Sequence, residues 1–362
     1  MKKLFGTAIL IMLAMTVHAG GAREPQTGGT NSGNVSAQTR TQTETPSSGS
    51  GNQAALTWTL ATINEEMPSY MSSVAYGNGR FIAMMRTEGF ERWPIPPTLK
   101  MLYSTDGITW TVKDTEVSGR LSFSNGRFFA SGGELSSSLA TSTDGENWTT
   151  VVNTQGQING PVYGNGRWVF VTRYYSGVGG NIMYSTDGVT WTAANVPTRI
   201  DFNAVAYGSG KFIAMDRDGR MAYSADGVTW TVPSGTYGNG VRAIAYGNGK
   251  FVKIGWDHSS YSEDGLSWTF VDFFGLGNGV ATHIVYDGRK FVAVDYDGRM
   301  ATSADGVTWK AEEFDIFGGS RIFQLNGIAY GAGRFVVMED TDDGSGKNPT
   351  APGRIAYSNV QE

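Results

Sequence analysis

From Leu56 onward the chain alternates short apolar runs with glycine-centred polar breaks, and the alternation recurs. An apolar-Ala-Tyr-Gly-Asn-Gly-Arg-Phe-apolar segment at Val74 to Ile82 returns at Leu121 to Phe129, Pro161 to Val169, Val205 to Ile213, Ile244 to Val252, Ile284 to Val292 and Ile328 to Val336. Its aromatic markers, Tyr76, Phe123, Tyr163, Tyr207, Tyr246, Tyr286 and Tyr330, lie 39 to 47 residues apart. A self-similar period of this length marks a repeat architecture. In six copies a Ser-x-Asp-Gly-x-x-Trp segment follows, with Asp106, Asp144, Asp187, Asp226, Asp264 and Asp305 at its centre and Trp110, Trp148, Trp191, Trp230, Trp268 and Trp309 at its end. Gly-x-Gly, Asn-Gly and Asp-Gly between β-prone runs are hairpin signals, because Gly accepts positive φ without steric cost. The pattern therefore predicts four antiparallel strands per copy.

One such sheet cannot bury both of its faces alone, and radial stacking of seven sheets solves this. In the seventh copy, Ile355-Ala356-Tyr357-Ser358-Asn359 is followed by neither Gly nor Trp, whereas Leu56-Thr57-Trp58-Thr59 near the other end matches the missing ending. The expected fold is an all-β, seven-bladed β-propeller of four-stranded blades over residues 55–361, its last blade closed by the N-terminal strand, which removes an exposed sheet edge.

The Ser-x-Asp-Gly-x-x-Trp segments resemble the Asp-box, or BNR, repeat of sialidases, sortilin-type receptors, xyloglucanases and the propeller of the photosystem II assembly factor. The resemblance runs from Leu56 to Asn359. In that family these turns face away from the substrate, so it implies a structural part for the six aspartates. Their Ser and Asp oxygens accept from turn N–H groups, and each Trp wedges between sheets.

Composition narrows the class further. The chain has 362 residues, 50 Gly, 12% aromatic and 17% charged residues, and no Cys, which excludes a disulfide scaffold and a thiol-ligated metal site. The formal charge is −5, or −7 once Lys2 and Lys3 are removed, and repels a nucleic-acid backbone. Residues 1–19 read as a secretory signal peptide: Lys2-Lys3, an apolar run from Leu4 to Val17, and Val17-His18-Ala19 before the cut. That run falls short of the ~20 residues a membrane span needs, so no stable membrane anchor is expected. Residues 20–54, rich in Gly, Ser, Thr and Gln, read as a disordered linker. The expected product is a monomer exported to the periplasm or beyond.

Antiparallel connectivity places the Gly-Asn-Gly and Asp-Gly-x-x-Trp turns on one face and the irregular loops on the other, where function concentrates. That second face carries the insertions Met85 to Lys100 and Glu339 to Arg354 and the matched segments Asp216 to Arg220 and Asp295 to Arg299. The expected ligand-binding residues are Trp93, Trp256, Arg217, Tyr296, Arg299 and Arg242. Trp93 also reads as a plug for its own loop, and Arg217, Arg220 and Arg299 as local ion-pair partners. Glu339 to Gly344 lacks the full alternation of a calcium loop. His258 and His283 lack zinc-site spacing, and no Walker loop occurs. No catalytic residue, metal or cofactor is assigned.

The favoured reading is a non-catalytic binding module for a glycan or protein partner. The alternatives are an envelope-complex assembly scaffold or a sialidase-like glycoside hydrolase. Hydrolysis of that kind needs clustered arginines, a Tyr activated by a Glu, and an Asp acid. Arg173, Arg242, Arg321, Tyr174, Tyr296, Glu134 and Asp201 supply the residue types on the irregular face, without the Arg-Ile-Pro segment of that family.

Overall fold

The computed structural model describes residues 56–63, 70–86, 98–132, 137–154, 156–173, 181–237, 240–256, 259–271, 280–295, 297–312, 314, 316, 324–340 and 353–359. The residues read above as a signal peptide and a linker, 1–19 and 20–54, lie outside them. These residues form seven antiparallel blades and, among those described, no helix. The inner strands are Tyr70–Gly77, Arg120–Ser124, Gln157–Gly164, Phe202–Gly208, Val241–Gly247, Ala281–Tyr286 and Gln324–Gly331. Each touches the next, and the last touches the first, so the ring is closed.

Closure runs through the N-terminal strand. Trp58–Leu60 pairs antiparallel with Arg354–Ser358, Trp58 opposite Ser358, and completes the blade built from Gln324–Gly331 and Arg334–Asp340. The chain then crosses to the first blade, where Thr62–Ile63 adds a parallel fifth strand to Thr109–Asp114. Four strands per blade are expected from the repeat alone; the fifth exists because the closing strand exits beside the neighbouring outer edge. In the fourth blade the outer strand shrinks to a bridge between Tyr223 and Thr231.

Seven apolar clusters fill the seven seams, each drawing side chains from two adjacent blades. Near the axis the seam is an interlock of Tyr on Gly. The Tyr76 ring lies where a Cβ on Gly331 would be, only 2.0 Å from the nearest ring carbon, and Tyr207, Tyr246 and Tyr286 repeat the contact on Gly164, Gly208 and Gly247. The Tyr-Gly pair recurs in the sequence because the glycine must stay bare for the next blade's ring.

All six Ser-x-Asp-Gly turns share one hydrogen-bond pattern. In each, the Asp Oδ1 accepts from the Ser hydroxyl and from the two following turn N–H groups, and the Ser Oγ accepts from the Gly N–H. These donors hold the carboxyls of Asp144, Asp187 and Asp264 well below the usual carboxylate range.

The repeat tryptophans are not equivalent wedges. Trp110, Trp230 and Trp58 are buried, whereas Trp148, Trp191, Trp268 and Trp309 are only partly so. Each buried one has a cover from a passing segment. Ile63 pairs beside Trp110, Asn195 bridges to Thr229 beside Trp230 while Val196 packs on the same cluster, and Phe314 meets Trp58 edge-on at 5.0 Å. Period alone places the tryptophan on the seam, but a passing segment decides whether water reaches it.

Candidate functional site

The inner strands all start on the irregular face, and six of them shift register near their start, at Met71/Ser73, Asn159/Val162, Phe202/Ala204, Val241/Ala243, Ala281/His283 and Leu325/Gly327. A bulge leaves a residue out of the ladder and re-aims its side chain. In four blades the extra residue is Asn203, Arg242, Thr282 or Asn326, and three of these stitch neighbouring blades together. Asn203 Nδ2 donates to the carbonyls of Val241 at 2.9 Å and Arg242 at 3.3 Å; Thr282 Oγ1 reaches Leu325 O at 3.4 Å, and Asn326 Nδ2 reaches Met71 O at 3.4 Å. Buried carbonyls on the axis thereby gain partners.

The bulges surround a cavity of about 250 Å³ on the axis, lined in its polar part by Arg120, Asn159, Asn203, Arg242, Thr282 and His283. Among the described residues no carboxylate lines it. Arg120 Nη1 is 3.5 Å from Asn159 Oδ1, and the Arg242 guanidinium lies over the Trp256 ring at 4.8 Å. His283 Nδ1 contacts Thr282 Oγ1 at 3.0 Å, with the tautomer set by which partner donates. The His283 side chain is partly open to the cavity yet enclosed by the ring, and burial with the Arg120 and Arg242 charges pushes its imidazole down to about 3.

Of the residues expected to bind a ligand, the structure brings Arg242 and Trp256 together. Trp256 follows the strand Lys250–Gly255, is 49% exposed, and its N–H donates to Gly240 O at 3.1 Å. Trp93 and Tyr296 lie outside the described residues, as do Arg321, Tyr174 and Glu134. Arg299 lies 3.2 Å from Asp297 and 3.7 Å from Asp295, and Arg220 donates to Asp216 at 2.6 Å. Arg217 sits in the turn between them, its carbonyl accepting from Gly240 N. Neither Arg217, Arg299, Arg173 nor Asp201 lines the cavity.

Asp216 and Asp295, at 2% and 0% exposure, are buried ends of these pairs rather than parts of solvated hairpins. Burial raises both carboxyls, Asp295 to about 6, against the turn N–H donors and Arg299. Glu339 is likewise buried and forked with Arg354, Nη2 to Oε1 at 2.8 Å, so it is committed to an ion pair rather than to a cation. No group of three or more metal-ligating side chains occurs among the described residues.

Of the polar cavity residues named above, only Arg242 is among the expected ligand-binding residues; Asn159, Asn203, Thr282 and Arg120 are missed altogether, and His283 is considered only as a poor zinc ligand. The signal was present. Aligned on the aromatic markers, the positions three and four before each marker form the axial column, and Arg120, Arg242 and His283 are its charged or titratable members.

The chain matches no protein-family model and no curated protein. Its fold does match solved structures. YCF48 from Cyanidioschyzon merolae superposes with a TM-score of 0.56 at 17% identity, covering 84% of this chain and 98% of that one. A structure of YCF48 bound to D1 peptide gives 0.57 at 12%, over 86% and 97%. The WD40 β-propeller domain of Doa1 gives 0.56 at 10%, over 83% and 97%. At such identities the likeness is one of fold.

Proposed function

We propose that this chain is an exported, non-catalytic propeller that holds a segment of a protein partner on its irregular face, at the mouth of the axial cavity. The observation that carries the reading is the Arg242–Trp256 pair: a half-exposed indole with a guanidinium over it, on the rim of a polar cavity. Trp and Arg dominate the energetics of protein interfaces, and such pairs supply area and charge with little ordering cost. YCF48, alike in fold, has been solved with a peptide, which supports a peptide as the kind of ligand a propeller of this size takes. The shared turn geometry supports reading the Ser-x-Asp-Gly-x-x-Trp segments as Asp boxes that brace the opposite face. Export rests on Met1 to Ala19, and N-terminal sequencing of the secreted product should begin at Gly20.

The test is an array of peptides from the source organism's exported proteins, followed by fluorescence polarisation. Trp256→Ala and Arg242→Ala should each weaken a hit by about tenfold or more, which is ~1.4 kcal/mol, while Asp144→Ala on the opposite face should not. Binding confined to a glycan array, or turnover of a fluorogenic glycoside panel, would replace this reading with the carbohydrate or hydrolase one.

A further inference from the structure

We propose that the axial cavity seats a neutral primary carboxamide, the side chain of an Asn or Gln in the partner's segment, whose NH₂ group donates to His283 Nε2 and Asn203 Oδ1. The inference rests on the reading above and names the chemistry that enters the centre of the face. Hydrogen-bond directions carry it. Thr282 Oγ1 lies 3.2 Å from Val294 O and 3.4 Å from Leu325 O, and a carbonyl only accepts, so the single hydroxyl proton goes to one of them. The 3.0 Å contact with His283 Nδ1 is then donated by the imidazole. A neutral imidazole carries one N–H, so Nε2 is left with a bare lone pair. Asn203 is oriented by the same logic. Its Nδ2 donates to two carbonyls, Val241 O and Arg242 O, which turns Oδ1 the other way. Neither His283 Nε2 nor Asn203 Oδ1 has a partner among the described residues, and neither is closed off from water. Both residues line the same space of about 250 Å³, which holds a carboxamide with several waters at ~30 Å³ each.

The guest's charge follows from its surroundings. Two lone pairs facing one space repel a carboxylate, which only accepts. A cation is disfavoured as well. Arg120 and Arg242 are already engaged, with Asn159 Oδ1 and the Trp256 ring among their partners, yet their charge still reaches His283. Burial, with these two charges from the second and fifth blades, pushes the imidazole down to about 3, and its other cavity neighbours, Asn203 and Thr282, are uncharged. The imidazole therefore stays neutral, as does an amide, from about pH 5.5 to about pH 8, and affinity should be flat across that range. Among neutral groups a hydroxyl brings one proton and a primary amide two, one for each acceptor.

The experiment uses the full mature chain and two kinds of probe: propionamide, compared with propionate and propylammonium of similar size, and a peptide that binds on the array. Long-range ¹⁵N-histidine spectra of the free protein should show His283 as the Nδ1–H tautomer. Propionamide should shift the Nε2 resonance, while the two charged analogues leave it unmoved. In the peptide, changing one Asn or Gln to Glu or to Met should weaken binding about tenfold or more, the loss expected when buried acceptors are left unpaired. His283→Phe should erase the preference for Gln over Met, with a thermal melt confirming that the variant folds. An Nε2–H tautomer, an Nε2 resonance that propionamide does not move, or a peptide indifferent to the loss of its carboxamides overturns the proposal. If it falls in any of these ways while a peptide still depends on Trp256, the protein-binding reading stands. If no peptide binds but propionamide still shifts Nε2, the protein-binding reading falls and the cavity's preference for a carboxamide stands.

Discussion

Trp110 and Trp191 occupy the same position in the repeat, yet replacing each by Ala should have unequal consequences. Trp110 is fully enclosed, with Ile63 beside it on the parallel strand, Phe81 at 6.1 Å between ring centroids, and its indole N–H donating to Gly107 O at 3.2 Å. Truncation removes a whole buried ring and that hydrogen bond, and aromatic-to-Ala changes in such sites cost about 3–5 kcal/mol. Trp191 packs on Phe170 at 4.7 Å but stays partly open, and its buried indole nitrogen has no hydrogen-bond partner. Its removal forfeits less area and also relieves an unsatisfied donor whose burial costs ~1–3 kcal/mol. The net loss should be about 1–2 kcal/mol, below what a fully buried wedge would give. With an unfolding entropy of about 2.1 cal/mol/K per residue over ~300 residues, the shifts are roughly 6 °C for Trp110→Ala and 2–3 °C for Trp191→Ala. Scanning calorimetry and urea titration should agree on the order. Equal losses, or a larger loss for Trp191→Ala, would refute the idea that a covering segment decides the energetic weight of a repeat tryptophan.

Two further predictions probe the ring and its buried charges. Gly331→Ala drives a methyl group into the Tyr76 ring across the seam next to the closing blade, so the urea midpoint should fall by an amount equivalent to about 1–3 kcal/mol; an unchanged midpoint would contradict the interlock. Asp295 has its carboxyl raised by burial to about 6, so the folded state holds its proton more tightly than the unfolded chain does. Its contribution to stability therefore falls as pH rises from about 4 to about 6. Asp295→Asn keeps an oxygen for the Arg299 and Asp297 N–H groups and should lack that fall, gaining on the wild type between those pH values in denaturant titrations. Parallel pH profiles would remove the buried carboxylate from the account.

Blade number, the hairpin turns and the closing strand were legible in the chain because they rest on local chemistry repeated seven times. Gly and Asn at positive φ, with the Ser and Asp acceptors three and one residues before the Gly of the Ser-x-Asp-Gly turn, are short-range requirements, and six of the seven repeats state the Ser and Asp part again. Trp58 could be assigned to the far end of the chain because one ending was missing and one was spare. The paired Asp216–Arg220 and Asp295–Arg299 segments were legible as ion pairs, but not the burial of their carboxylates.

The axial site was decided elsewhere. Arg120, Arg242 and His283 come from the second, fifth and sixth blades, far apart in the sequence. Only ring closure brings their side chains to one 250 Å³ space, with bulges beside Arg242 and His283 but none on the strand that carries Arg120. The sequence determined the repeating unit, since hairpins and turns form from contacts a few residues apart. The tertiary structure decided which charges meet at the axis and which tryptophans are dry, since both depend on distances between blades that no single repeat encodes.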